Sequence, residues 1–303
     1  MQRVVAVVGP TGVGKSALAL KLACDFNGEI ISADSRQVYR MLDIGTAKPT
    51  TAEQELIPHH LIDVAQPDQD FSLAQYQHMA YQAIEGVSAC GKLPILAGGS
   101  GLYIWAVLEG WQIPKVAPNS ALRRELEARA ANGEAPQLYA ELQQLDRKAA
   151  DRIDPRNTRR VIRALEISRK QDKNLAPSKT APSFDQLIIG LTCSRAALYE
   201  RIDRRVEKMM QQGLLNEVRE LVAQGYDAEL PAMSGIGYRQ IITHLQGAST
   251  VDEAVQQIKY ESHRLARQQY NWFSLKNDTI HWFDINDDYY DRLSIRVSHF
   301  LKT

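Results

Sequence analysis

The residues nearest the N-terminus form a pattern that can bind phosphate. Gly9-Pro10-Thr11-Gly12-Val13-Gly14-Lys15-Ser16 fits G-x-x-x-x-G-K-[ST]. In such a loop the glycines let backbone amides point at phosphate oxygens, the lysine adds a cation, and the serine hydroxyl can hold Mg²⁺. A helix that follows adds the partial positive charge of its N-terminus. The sequence therefore predicts a site for a diphosphate or for the phosphates of ATP, with Mg²⁺ as cofactor at Ser16.

This loop does not identify the rest of the ligand. A kinase or ATPase also needs a second carboxylate after a buried strand, whereas the apolar run 93–97 ends in Gly98-Gly99-Ser100. A GTPase needs an N-K-x-D loop to read its base, and the sequence has none. Three functions stay open at this point: a group transferase acting on a diphosphate ester, a P-loop small-molecule kinase using ATP, and a nucleotide-gated RNA-binding protein.

The elements around the loop alternate between strands and helices. Apolar runs at 4–8, 29–32, 93–97 and 187–192 predict buried parallel strands, and 279–283 predicts another. Helices are predicted at 16–24, 73–89, 103–108 and 195–212, and from 250 towards 273, with one more at the end of the chain. Capping boxes at Ser72–Gln75 and Thr250–Glu253 mark two helix starts. The alternation predicts an α/β fold with a P-loop parallel-sheet core.

The pattern changes in the middle of the chain. Between 114 and 183, prolines interrupt helix-like segments and no strand is predicted until Phe184. We therefore expect a core over 1–113 and 184–303, with an inserted all-helical domain over 114–183. The insertion carries 15 Lys/Arg and 9 Asp/Glu, a net charge of +6, although the whole chain is neutral with 36 of each. A locally basic surface attracts polyanions such as RNA.

Composition excludes several classes of protein. With 303 residues, 44% hydrophobic and 24% charged, the chain is not disordered or collagen-like. Its three cysteines are far apart and form no C-x-x-C pair, which indicates a reducing compartment. No signal peptide and no apolar run of the ~18 residues that span a membrane is apparent, so we expect a cytoplasmic monomer without a membrane partner. His59 and His60 lack a third ligand and are interpreted as packing or capping residues.

Several segments, in order, resemble one family, the tRNA dimethylallyltransferases, also called tRNA isopentenyltransferases. Ser32-Ala-Asp34-Ser-Arg-Gln-Val-Tyr39 followed by Asp43-Ile-Gly-Thr-Ala-Lys48 is the most specific part. The other segments, besides 9–16, are 58–63, Gly98 to Tyr103, Asn157 to Glu166, 199–206 and Gly237-Tyr-Arg-Gln240. Together they extend over about residues 4 to 275. No zinc finger is found in the sequence, which points to a bacterial type.

The resemblance implies an activity. A dimethylallyl group would move from dimethylallyl diphosphate to the exocyclic N6 amine of adenosine at tRNA position 37, and diphosphate would be released. That amine is a poor nucleophile, so a carboxylate accepting its proton would help. Asp34 follows the second strand and occupies the family's position for that base. Thr11 and Arg205 correspond to positions at the diphosphate, and Arg201, one helical turn before Arg205, could share the charge.

The resemblance also implies where tRNA binds. Asp34, Ser35, Arg36 and Gln37 correspond to the segment that holds the flipped-out base, with Ser100 near the same base. The insertion would bind the anticodon stem-loop. There the resemblance assigns contacts with the RNA backbone to Arg123, Arg160 and Arg163.

Three residues depart from the family pattern. Gln268 and Asn271 stand where the family commonly has Arg and Thr, and Ser234 stands where some members have Arg. Because of Ser234, we assign no catalytic role to the stretch before Gly237-Tyr-Arg-Gln240.

Overall fold

The computed structural model describes residues 2–113, 119–170 and 179–302. The chain divides into two compact units. The first combines Met1–Gly110 with Ala181–Thr303, and the second is Trp111–Thr180. The insertion predicted over 114–183 differs from the second unit by three residues at each end, and its segments 114–118 and 171–178 lie outside the described residues.

The first unit contains a parallel sheet of six strands in the order β3-β2-β4-β1-β5-β6. The strands are β1 Gln2–Val8, β2 Gly28–Ser32, β3 His59–His60, β4 Leu93–Ala97, β5 Phe184–Thr192 and β6 Ile280–Asp284. The last five residues of β1, Val4 to Val8, are completely buried, as expected for a strand covered by helices on both faces. The predicted α/β fold with a parallel-sheet core is therefore confirmed.

Helices connect and cover these strands. They are α1 Lys15–Asp25, α2 Thr51–Leu56, α3 Leu73–Ala89, α4 Gly101–Leu108, α9 Arg195–Gln211, α10 Leu214–Ala223, α11 Tyr238–Leu245, α12 Val251–Trp272 and α13 Tyr290–Lys302, with α5 to α8 in the second unit. Both predicted capping boxes are present, at Ser72–Gln75 and at Thr250–Glu253. A third, at Thr50–Glu53, starts α2.

The short edge strand β3 was not predicted from the sequence. His59 and His60, interpreted from the sequence as packing or capping residues, pair in parallel with β2. His60 Nε2 lies 2.6 Å from a carboxylate oxygen of Glu29, and His59 Nδ1 lies 2.8 Å from the carbonyl oxygen of Ile57. A two-residue strand is too short to produce an alternating pattern, so the sequence could not reveal it.

In the second unit, the regular elements that the structure describes are helical. They are α5 Ser120–Arg129, a π-type turn Ala130–Glu134, α6 Ala135–Leu145, α7 Arg147–Ala150 and α8 Thr158–Arg169. Their apolar faces form a separate core that includes Leu126, Leu138, Leu142 and Leu165, all fully buried. The predicted inserted helical domain thus has its own hydrophobic core.

The described residues also bear on membrane-spanning helices and on the cysteines. Across the described ranges, no helix combines the length and apolar character needed to cross a bilayer. Cys24, Cys90 and Cys193 are free, and the first two are exposed.

Candidate functional site

Three loops meet at the carboxyl edge of the sheet because parallel strands all end on the same side. The phosphate-binding loop follows β1, the Asp34 segment follows β2, and Gly98 to Ser100 follow β4. Together with α9 and α12, these loops line a cavity of about 500 Å³. The cavity brings together most of the side chains selected from the sequence: Thr11, Lys15, Ser16, Asp34, Ser35, Arg36, Gln37, Ser100 and Arg205.

The phosphate-binding loop has the backbone that its sequence predicts. Gly14 has φ of +110° and is followed directly by the first residue of α1, a conformation that residues with a Cβ rarely adopt. The Lys15 ammonium donates a hydrogen bond to the carbonyl oxygen of Pro10, at 2.8 Å. The remaining loop residues, Gly9, Pro10, Gly12, Val13 and Gly14, are not among those that line the cavity, and phosphate binding by their backbone amides stays a prediction.

The charges in the cavity favour an anion. Of the charged side chains that line it in the described part of the chain, Lys15, Arg36 and Arg205 are cationic and Asp34 is anionic. Burial, and then repulsion by Arg205, lowers the pKa of Lys15 to about 7, while Asp34 acts in the opposite direction. Burial also lowers the pKa of Arg205. Two desolvated cations that share one carboxylate would be stabilised by a bound diphosphate.

This arrangement predicts a lysine that titrates near neutrality. In the free protein at pH 8, a Lys15 pKa of about 7 leaves the amine mostly neutral. A bound diphosphate favours the ammonium form, so binding takes up a proton above pH 7 and this contribution to affinity falls as the pH rises. NMR spectra of ¹³Cε-labelled lysines should show one signal with a midpoint near 7, absent in Lys15→Arg, that moves upward when pyrophosphate is added. If every lysine titrates near its ordinary value, Lys15 is not desolvated.

Arg205 and Thr11, which the resemblance assigns to the diphosphate, contact each other. Arg205 Nη1 donates to the Thr11 hydroxyl at 3.4 Å, and Nη2 donates to the carbonyl oxygen of Thr46 at 3.3 Å. We expected Arg201 to share the positive charge at the diphosphate with Arg205. It does not line the cavity, and its Nε donates to the carbonyl oxygen of Gly12 at 2.8 Å. Arg201 therefore supports the phosphate-binding loop through Gly12.

The Asp34 carboxylate is held by its own turn. Its Oδ1 accepts a hydrogen bond from the backbone amide of Arg36 at 2.9 Å. The next residue, Ser35, donates its backbone amide to the Ser100 hydroxyl at 3.0 Å. The segment after β2 is thereby joined to the loop after β4, and Asp34 is placed in the same cavity as Lys15.

The neighbouring side chains fix the rest of this segment. Gln37 Nε2 donates to the carbonyl oxygens of Thr46 and Ala47, at 3.3 and 3.2 Å. The Arg36 guanidinium donates to the carbonyl oxygen of Pro231 and, at 3.2 Å, to the hydroxyl of Ser234. Ser234, one of the departures from the family pattern, is therefore a partner of Arg36.

Glu217 of α10, which no sequence pattern marked, holds a loop that lines the cavity. Its carboxylate accepts the backbone amides of Asp43, Ile44 and Gly45 at 3.1, 2.7 and 3.1 Å. The hydroxyl of the buried Tyr238 donates to the same carboxylate at 2.6 Å. Glu217 thus holds the loop that presents the carbonyl oxygen of Thr46 to Arg205. Its partners are in two of the family-like segments, but nothing local to Glu217 marks it.

One side of the cavity is apolar. Ile202, Val206 and Met209 of α9 line it at helical spacing, and Ile258 and Leu265 of α12 add to the same surface. Such a surface can exclude water from an apolar ligand group and lower the local dielectric. The cavity therefore combines a cationic region with a hydrocarbon-like region.

The arginines of the second unit have different surroundings. Arg123 and Arg163 both form ion pairs with Glu166, at 2.9 and 3.3 Å, and this carboxylate is only 1% exposed. Arg160 is exposed and, among the residues described, its side chain forms no ion pair. The three arginines expected to contact the RNA backbone therefore comprise one exposed side chain, Arg160, and two that also neutralise a buried acid.

Comparisons with known proteins show to which family this chain belongs. Residues 37–277 match the model of the family described as IPP transferase. The chain is 51% identical over 271 residues to a tRNA dimethylallyltransferase of Roseiflexus sp. strain RS-1, covering 89% of each chain. It is 48% identical to a tRNA dimethylallyltransferase of Dehalococcoides mccartyi, covering 97% of this chain and 91% of that one.

A solved structure has the same fold over the full length. The tRNA isopentenylpyrophosphate transferase of Bacillus halodurans superimposes with a TM-score of 0.73 and 39% identity, covering all of this chain and 96% of its own. Because the family model matches most of the chain and the relatives are similar from end to end, this protein belongs to the IPP transferase family, which includes these tRNA dimethylallyltransferases.

Proposed function

We propose that this protein transfers a dimethylallyl group from dimethylallyl diphosphate to the N6 amine of adenosine 37 in tRNA, and releases diphosphate. The relatives from Roseiflexus and Dehalococcoides described above are named tRNA dimethylallyltransferase. The observation that supports the reaction best is that one cavity contains Lys15 and Arg205, the Asp34 carboxylate and an apolar wall. These three features match the diphosphate, the attacking amine and the hydrocarbon group.

The cationic region suits the diphosphate leaving group. Lys15, the amides of the glycine-rich loop and Arg205 would stabilise the negative charge that grows as the carbon–oxygen bond breaks. The Ser16 hydroxyl lines the same cavity. Mg²⁺ commonly binds through one or two protein oxygens together with phosphate oxygens, and the described residues contain no cluster of three acidic, His or Cys ligands. Ser16 therefore fits Mg²⁺ that arrives with the diphosphate, and the ion would supply further neutralising charge.

The Asp34 carboxylate suits the incoming adenosine. The N6 lone pair would form a bond to C1 of the dimethylallyl group while the bond from C1 to the diphosphate oxygen breaks. The electron pair of that bond leaves with diphosphate, and the amine proton moves to the Asp34 carboxylate. Ser35, Arg36, Gln37 and Ser100 line the cavity beside Asp34 and would hold the flipped-out base.

The helical unit suits an RNA backbone. Arg159 and Arg160 are exposed in the first turn of α8, where the helix dipole disfavours cations. An RNA phosphate would relieve that repulsion and also accept hydrogen bonds from the helix N-terminus. We therefore propose that this unit binds the anticodon stem-loop, and that Arg160 contacts a phosphate. Since tRNA is the proposed substrate, we also propose a cytoplasmic location, and a monomer remains a prediction.

The salt dependence of tRNA binding tests Arg160. Arg160→Ala should weaken tRNA binding and reduce the slope of log K against log[KCl] by about one unit, because one counterion fewer is released. Binding is measured by fluorescence anisotropy over a range of KCl concentrations. Arg292→Ala, which removes an exposed charge from α13 of the core, is the control and should leave the slope unchanged. An unchanged slope in Arg160→Ala would place this side chain in solvent.

One assay separates the proposed activity from the kinase alternative, which the comparisons do not favour. Unmodified tRNA and Mg²⁺ are incubated with the protein and either dimethylallyl diphosphate or ATP. We expect one dimethylallyladenosine, detected by nucleoside mass spectrometry, for each diphosphate released, and no ATP consumption. Turnover of ATP alone would contradict the proposed function.

A further inference from the structure

Gln269 of α12 connects two of the loops that form the cavity. Its side-chain oxygen accepts a hydrogen bond from the backbone amide of Thr11 at 2.7 Å. Its side-chain nitrogen donates to the carbonyl oxygen of Gly99 at 2.9 Å. Only 6% of this residue is exposed. One planar amide thus joins the phosphate-binding loop to the loop after β4.

Gly99 leaves room for this amide. A Cβ atom at position 99 would collide with Nε2 of Gln269 and displace it from its present position. The contact with Gln269 also occupies the Thr11 amide. Thr11 is therefore oriented through its backbone by Gln269, while its hydroxyl contacts Arg205.

These bonds continue to the proposed base. The residue after Gly99 is Ser100, whose hydroxyl accepts the backbone amide of Ser35, and Ser35 adjoins Asp34. Gln269 thus lies between the Arg205–Thr11 pair, at the proposed leaving-group side, and the Asp34 segment, at the proposed acceptor side. It lines the cavity as well.

We propose that Gln269 is a positioning residue that fixes the separation between the diphosphate site and Asp34. This inference rests on the proposed function. Group transfer requires the amine, C1 and the leaving oxygen to be aligned, and a displacement of about 1 Å can lower the rate by about 10²-fold. We expect dimethylallyl diphosphate and the adenosine to bind in separate halves of the cavity. Removing the hydrogen bonds of Gln269 should therefore affect the alignment of these two ligands more than the affinity for either one.

The first test removes both hydrogen bonds. Gln269→Met has similar length and should lower the single-turnover rate of dimethylallyl transfer by about 10²-fold. The dissociation constants for pyrophosphate and for tRNA should each stay within about threefold, because neither set of direct contacts is removed. Gln257→Met is the matched control, since it makes the same change on the same helix at an exposed position whose amide donates to Glu261. It should match the wild type.

The second test uses Gln269→Glu, in which protonation of the new carboxyl group can restore both hydrogen bonds. It also serves if the methionine variant does not fold. In Gln269→Glu, the protonated acid can accept from the Thr11 amide and donate to the Gly99 carbonyl, as the amide does. The ionised acid cannot donate to that carbonyl. The ratio of this variant's rate to the wild-type rate should therefore rise as the pH is lowered from 8 to 5.5. A residue that only stabilises the fold would change the melting temperature and leave this ratio of rates flat.

The outcomes distinguish the two proposals. If the wild type forms no dimethylallyladenosine, the proposed function is wrong and the positioning role fails with it. If the wild type is active, a methionine variant with a wild-type rate would overturn the role of Gln269. A glutamate variant whose relative rate does not depend on pH would do the same. A methionine variant that loses pyrophosphate affinity in proportion to its rate would show that Gln269 acts in binding instead.

Discussion

Replacing Asp34 by asparagine should lower kcat for dimethylallyl transfer by a factor of ~10²–10⁴, the range for loss of a general base. The side-chain oxygen that accepts the Arg36 amide is retained in Asp34→Asn, so the turn should persist and the loss should report proton transfer. The rate is measured under single-turnover conditions with saturating tRNA and dimethylallyl diphosphate. Asp34→Ala should show at least the same loss.

The binding of each ligand provides the control for this prediction. Asp34 is the carboxylate that opposes the lowering of the Lys15 pKa. Removing its charge lowers the Lys15 pKa further but also removes a repulsion of the bound anion, and these two effects on pyrophosphate affinity oppose each other. Pyrophosphate affinity should therefore change far less than kcat. Affinity for tRNA should change less than threefold. Turnover within threefold of the wild type would remove Asp34 as the base.

Replacing Arg205 by methionine should lower kcat/KM for dimethylallyl diphosphate by ~10²–10³-fold, the loss typical of one group that stabilises developing negative charge. The guanidinium contacts both the Thr11 hydroxyl and the Thr46 carbonyl oxygen. Arg205→Lys keeps the charge and loses this fork, so its loss should be intermediate. Initial rates at saturating tRNA and varied donor concentration measure the effect.

A stability measurement separates this effect from unfolding. Burial lowers the pKa of Arg205, so the free protein holds this cation at an electrostatic cost. An apolar residue of similar length should leave the melting temperature unchanged or raise it. Arg204→Met, the same change at the exposed neighbouring position, is the control for both measurements. A normal kcat/KM in Arg205→Met would exclude this residue from the diphosphate site.

The same phosphate-binding loop serves a different reaction here from that of a kinase. In phosphoryl transfer, the electrophile is phosphorus, and a second carboxylate after a strand positions the metal or water. In the proposed reaction the electrophile is carbon and the whole diphosphate departs. The strand β4 can therefore be followed by Gly98 and Gly99, and the carboxylate is found after β2, at Asp34, where the amine would enter.

Local features of the sequence determined a large part of this fold. The buried strands, the glycine-rich loop and the capping boxes each depend on residues a few positions apart, so their patterns can be recognised directly. The prediction for β4, 93–97, agrees with the observed Leu93–Ala97. The net charge of +6 over 114–183 also indicated an inserted domain, because the charge of a segment can be counted without knowing its fold.

Only the tertiary structure decided how the site is connected. Arg205 meets Thr11 across 194 residues, and Gln269 meets Thr11 across 258. Glu217 binds amides more than 170 residues away. Glu217 has no local pattern, and nothing in the sequence around Gln269 identifies Thr11 as its partner, because the partner of a polar side chain depends on which helix packs beside which loop. The sequence thus determined which chemical groups are available, whereas helix packing against the carboxyl edge of the sheet determined which of them meet.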